Sequence, residues 1–104
     1  MRAHAILVLQ WPASSEADFE DLLRVEAELE RSLEAPTIVD GHDFGAAEMN
    51  IFLETRDPAR TFEEVRAILE QDARWDGVRA AFRVSDEDEY TVIWPPDAAS
   101  FSVS

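Results

Sequence analysis

Hydrophobic and polar positions alternate along this chain with two periods, and the switches between them outline its elements. His4 to Trp11 (His-Ala-Ile-Leu-Val-Leu-Gln-Trp) is a nearly unbroken apolar run closed by Pro12. Such a run suits a strand covered on both faces, hence a central one. The pattern then turns helical. Ser15 can cap the free amides, and Asp18 can reach back as a short version of the capping-box acid. Phe19, Leu22, Leu23, Leu29 and Leu33 recur on one stripe, with Glu20, Asp21, Arg24, Glu28 and Arg31 facing water.

Pro36 ends this helix, and Thr37 to Phe44 reads as extended. Gly45-Ala46-Ala47 is a turn, and Glu48 to Thr55 returns as a strand. Asp57-Pro58 starts a second helix, with proline where its missing amide costs little. Phe62, Val65, Ile68 and Leu69 form its stripe, and Trp75-Asp76-Gly77 breaks it. Val78 to Val84 and Tyr90 to Trp94 are the last strands, joined through the charged Ser85 to Glu89 and stopped by Pro95-Pro96.

The order β-α-β-β-α-β, with a further hairpin strand, predicts an α+β fold of ferredoxin-like type. Two helices then lie on one face of an antiparallel sheet. Residues 1–96 are expected as one domain and 97–104 as a tail, frayed or laid over an edge.

Two helices cover one side of such a sheet, so the other face becomes the place to look for function. With a turn centred on Ala46, Asp40 opposes Phe52, His42 opposes Asn50, and Phe44 opposes Glu48. The candidate binding surface is therefore Asp40, His42, Phe44, Glu48, Asn50 and Phe52, beside one alternate set of the first strand. Self-association, a partner or ligand, or the chain's own tail can cover a face of this kind.

Composition narrows the chemistry. The chain has 104 residues, 46% of them hydrophobic. At 11.8 kDa it would bury about 65% of its unfolded surface, enough for one unstapled core. It has no cysteine, so disulfides, thiolate zinc sites and thiol catalysis are excluded. It also has no lysine, which removes Schiff-base and P-loop chemistry. The net charge of −14 repels nucleic acid and anionic membrane and attracts a basic partner. No apolar run reaches membrane length and no targeting segment is evident, so the expected location is cytoplasmic.

His42 stands near Asp40, Asp43 and Glu48 and invites an acid–base reading, with Asp40 or Glu48 as its partner. No serine occupies a nucleophile context. A structural histidine bonded to Asn50 is the competing account. A metal site from Asp40, His42, Asp43 and Glu48 fails on alternation, which sends Asp43 to the opposite face, and neither metal nor cofactor is expected. Gly41 and Gly45 do not form a phosphate cradle. Gly41 instead marks a bulge or a close backbone approach.

The stretch Val39-Asp40-Gly41-His42-Asp43-Phe44-Gly45-Ala46-Ala47-Glu48-Met49-Asn50-Ile51-Phe52, followed by Asp57-Pro58 and Phe62, resembles small bacterial proteins of ferredoxin-like type. In those a Gly-rich β-hairpin with a glutamate after its turn precedes an Asp-Pro or Asp-Ala helix start. Ala46-Ala47 departs from that pattern. The resemblance covers about the middle third of the chain and implies the fold, with no activity to transfer.

The expectation is a small acidic, non-enzymatic protein–protein interaction module, either self-associating or of the kind that blocks a basic cleft, as an immunity protein does. The alternatives are a small dimeric enzyme built on His42 and a small-molecule sensor domain.

Overall fold

The computed structural model describes residues 4–34, 37–45, 47–98 and 100–103. Pro36 and Ala46, placed above at the helix end and the turn centre, lie outside the described residues. The apolar run forms β1 (Ala5–Pro12), followed by α1 (Glu16–Ser32), β2 (Ile38–Phe44), β3 (Glu48–Thr55) and α2 (Pro58–Leu69). A 3₁₀ turn (Ala73–Trp75) leads into β4 (Arg79–Val84) and β5 (Thr91–Trp94).

The fold is α+β: two helices and a five-stranded antiparallel sheet in the order β2-β3-β1-β4-β5. β1 is the middle strand, as its unbroken apolar run requires. Leu7, Val8 and Leu9 have no exposure at all.

Capping chemistry sets both helix starts. Ser15 Oγ accepts from the Asp18 amide, and the Ser14 and Ser15 amides donate to Asp18 Oδ2 at 2.8 and 3.2 Å. Asp57 accepts from the Arg60 amide with Pro58 opening α2. Each cap contributes about 1 kcal/mol.

The core lies between the helices and one sheet face. Leu7, Leu9 and Trp11 of β1 join Met49, Ile51 and Leu53 of β3 beneath Leu22, Val25 and Leu29 of α1 and Phe62, Val65 and Leu69 of α2. Fully burying each such side chain contributes roughly 1.5–3 kcal/mol. The buried stripe of α1 is centred on Leu22, Val25 and Leu29, so Phe19 and Leu23 fall on its flank and stay 37% and 40% exposed. That corrects the broader stripe drawn from the sequence.

The 3₁₀ turn ties the helix layer to the sheet. Trp11 Nε1 donates to the Arg74 carbonyl at 2.6 Å. Arg74 Nη2 reaches Asp18 at 2.7 Å and its Nε reaches Asp21 at 2.9 Å, while Arg24 holds Asp72 at 2.6 Å. The Arg74 bond, assisted by the Ser14 amide, holds the Asp18 carboxyl down at about 2. Asp72 is lowered as well, chiefly by its bond to Arg24. Behind this clamp, Phe62, Trp75 and Trp94 pack together, and the Arg66 guanidinium sits 4.9 Å from the Trp94 ring centre.

Candidate functional site

The β2–β3 hairpin starts in the register that simple alternation predicts and then leaves it. Ile38 pairs with Glu54 and Val39 with Leu53. At Asp40 the register shifts, and Gly41 pairs with Phe52, His42 with Ile51, Asp43 with Asn50 and Phe44 with Met49. Gly41 has φ +147, a conformation that side-chain-bearing residues rarely adopt. Gly41 therefore does mark a bulge. One extra residue in one strand sends every later side chain to the opposite face.

The six candidate residues are divided as a result. Glu48, Asn50 and Phe52 keep the outer face, where Gly41 and Asp43 join them. His42 and Phe44 turn to the helix side, and Asp40 occupies the bulge, exposed. The expected pairs His42–Asn50, Phe44–Glu48 and Asp40–Phe52 are absent.

On the helix side His42 meets α1. Its Nδ1 lies 3.0 Å from both carboxylate oxygens of Glu26. A carboxylate only accepts, so Nδ1 is the donor of this bond, and Glu26 fixes the orientation of the ring. Phe19 packs edge-on to both Phe44 (ring centres 5.3 Å apart) and His42 (6.0 Å). Asp40 and Glu48 were the expected acid partners; the carboxylate that the structure places on His42 is Glu26. Glu26 was missed, although a signal existed: it lies four residues after Leu22 and three before Leu29, an acid inside an apolar stripe.

Three large hydrophobic side chains are exposed among the described residues: Phe19, Leu23 and Ile38. All three border β2. Phe19 and Leu23 lie on the α1 flank that also carries Glu26 and Glu30, and Ile38 opens the strand. A groove of about 230 Å³ lined by Leu29, Glu30, Leu33, Thr37, Ile38 and Val39 continues that border. β2 is an edge strand seven residues long, whereas the opposite edge, β5, has four. Glu26, Glu30, Asp40 and Asp43 make the surroundings acidic.

The outer sheet face is occupied by the chain itself. Gln10 Nε2 donates to the Ser102 carbonyl at 2.9 Å and to Asn50 Oδ1 at 3.0 Å. Arg79 donates to the Ser100 carbonyl at 2.6 Å and stacks over Phe101, which also packs on Tyr90. Beneath this segment Val8 and Asn50 have no exposure and Gln10 has 3%. Coverage by the tail was one of the three outcomes open to the sequence.

Among the described residues no group of three or more His, Cys, Asp or Glu side chains could hold a metal ion. His4, the other histidine, bonds Glu54 at 2.7 Å. Among the same residues no helix is long and apolar enough to cross a membrane. No protein-family model, no curated protein and no solved structure matches the chain.

Proposed function

We propose that this chain is a small acidic protein–protein interaction module that binds an extended, basic segment of a partner protein along β2. The observation that carries the reading is the coincidence of the exposed hydrophobic side chains, Phe19, Leu23 and Ile38, with the longer free edge of the sheet. An edge strand offers unpaired main-chain donors and acceptors, and an added strand takes affinity from them and specificity from flanking pockets. The acids around the edge set the sign of the partner. A second copy pairing edge to edge would bring the same carboxylates together, whereas lysine or arginine on an incoming strand neutralises them.

The ferredoxin-like classification belongs to the same reading. Setting β5 aside, the order β4-β1-β3-β2 is what two interleaved strand–helix–strand units produce, and β5 extends the β4 side.

The test is fluorescence anisotropy with two labelled synthetic peptides, one of alternating valine and lysine and one of alternating valine and glutamate. The lysine peptide is expected to bind roughly tenfold or more tightly than the glutamate peptide. Leu23→Asp and Ile38→Asp are each expected to weaken it by a similar factor. Equal affinity for the two peptides, or indifference to both substitutions, rejects β2 as the site.

The enzyme alternative rests on a single observation, the orientation of the His42 ring by Glu26. Its test is hydrolysis of a panel of activated esters by the intact chain and by His42→Ala.

A further inference from the structure

Beyond the β2 edge, the outer face of the sheet carries a second pattern. Its side chains fall in rows across the strands. One row is Ile38, Glu54, Ile6 and Arg83; the next is Gly41, Phe52, Val8, Ala81 and Val92; the third is Asp43, Asn50, Gln10 and Arg79. In each row β1 is the middle strand, and its two neighbours are opposites: acid against base, large against small, and amide, with Asp43 beyond it, against base.

A two-fold rotation about an axis parallel to β1 exchanges the β3 side of one copy with the β4 side of the other. It lays Arg83 over the second copy's Glu54, Phe52 over Ala81, Arg79 over Asn50 and Asp43, and Ile6 over itself. Packed sheets cross at about 30°, which displaces a residue one strand from the axis by only about 2.5 Å. Side chains as long as arginine and glutamate absorb that. Neither Arg79 nor Arg83 has a carboxylate partner among the described residues; Arg79 bonds the Ser100 carbonyl, and Arg83 bonds the carbonyls of Ser85 and Glu87.

We infer that this face is a self-complementary interface for a second copy of the chain, and that the segment from Ser100 to Val103 is a strap that must leave before the copy can dock. Sheets stack about 10 Å apart with their side chains interdigitated, so the strap and the second sheet compete for one space.

The strap fits imperfectly. Among the described residues the buried Asn50 Nδ2 has no hydrogen-bond partner. Its amide orientation is dictated by the strap. The Ser102 carbonyl requires Gln10 to present its NH₂, and Gln10 then requires Asn50 to present its oxygen. A second copy brings another Gln10 to the axis, one strand spacing from Asn50, with a side-chain carbonyl the strap lacks. The sheet face is small, roughly 400–500 Å² in plan against about 800 Å² per partner for a standard stable interface. The dimer is accordingly weak, and the strap shifts its balance.

The test uses the full chain carrying Phe101→Lys and Val103→Lys, which places positive charge beside Arg79 and releases the strap. Solution mass is measured by sedimentation equilibrium over a wide concentration range. The intact chain is expected to remain near 11.8 kDa at concentrations where the released chain dimerises, with a dissociation constant lower by roughly tenfold or more.

In the released chain, Arg83→Glu is expected to weaken the dimer by about tenfold, and adding Glu54→Arg to restore it. Because the chain has no cysteine, Ile6→Cys gives a clean second measurement. A short bismaleimide should link two released copies through that residue and link intact copies far less. A released chain that stays monomeric, a charge swap that does not restore, or an absent Ile6 crosslink overturns the proposal. So does a dimer that Phe101→Lys abolishes, since that dimer exchanges its tails.

Discussion

Removing Asp40 should make Gly41 replaceable. In the intact hairpin Gly41 adopts φ +147, and a Cβ built on it meets nothing within 4 Å. The cost of Gly41→Ala is therefore wholly a backbone cost, about 1–3 kcal/mol for a side-chain-bearing residue in such a region. Deleting Asp40 joins Val39, paired with Leu53, directly to Gly41, paired with Phe52. Chain neighbours then pair with chain neighbours, the ladder becomes regular, and His42 and Phe44 keep facing α1. Residue 41 is now an ordinary strand position, where alanine stabilises by about 0.4–1 kcal/mol through the unfolded chain. The two changes should couple by about 2–3 kcal/mol in a double-mutant cycle. With about 2.1 cal/mol/K of unfolding entropy per residue, the 104-residue chain shifts by about 4–5 °C per kcal/mol, so the coupling is about 10 °C in melting temperature. Urea and thermal unfolding followed by tryptophan fluorescence report it, since Trp11, Trp75 and Trp94 all lie outside the hairpin. Equal costs of Gly41→Ala with and without Asp40 would refute the bulge as the cause of the register change.

Three further outcomes can be checked on the same protein. The Asp18 carboxyl, held at about 2 in the folded chain chiefly by Arg74, titrates near 3.9 when unfolded. A depressed folded value means its stabilisation is complete above the unfolded value and is lost as pH falls from about 4 through 2, so Asp18→Asn should flatten urea-measured stability over that window. Phe62→Ala, which empties a 1% exposed site between Trp75 and Trp94, should cost about 3–5 kcal/mol with a change in tryptophan emission; a loss below about 1 kcal/mol would mean the aromatic cluster closes over the gap. Added salt should weaken lysine-peptide binding at β2 and strengthen the strap-released dimer, both read by titration from low to physiological ionic strength.

Much of the fold is legible because its signals are local. A serine and an acid three residues on make a cap whatever lies beyond, and Asp57-Pro58 opens a helix for reasons contained in two residues. The central place of β1 follows from its unbroken apolar run. The site was harder because it depends on how local errors propagate. Gly41 announces a bulge, yet a register drawn by strict alternation passes through it unchanged, and one residue was enough to move His42 and Phe44 to the other face. Phe19 and Leu23 satisfy helical spacing, but the axis of the buried stripe is set by what α1 packs against. Whether the tail covers the sheet rests on Gln10 and Arg79 donating to main-chain carbonyls, and carbonyls leave no mark in the side-chain sequence.

The charge distribution is what separates the two surfaces. A net −14 spread evenly would favour basic partners everywhere and oppose every contact between copies. Instead the β2 edge is ringed by Glu26, Glu30, Asp40 and Asp43, while the outer face sets Arg83 opposite Glu54 and Arg79 opposite Asn50 and Asp43 across β1, Asp43 belonging to both. Short-range complementarity on that face acts within a few ångströms, where opposed charges are desolvated together. The repulsion between two acidic molecules acts at longer range and is screened beyond about 8 Å at physiological salt. Salt therefore removes more of what opposes the dimer than of what holds it. At the edge, the field and the contact have the same sign, so salt only takes affinity away.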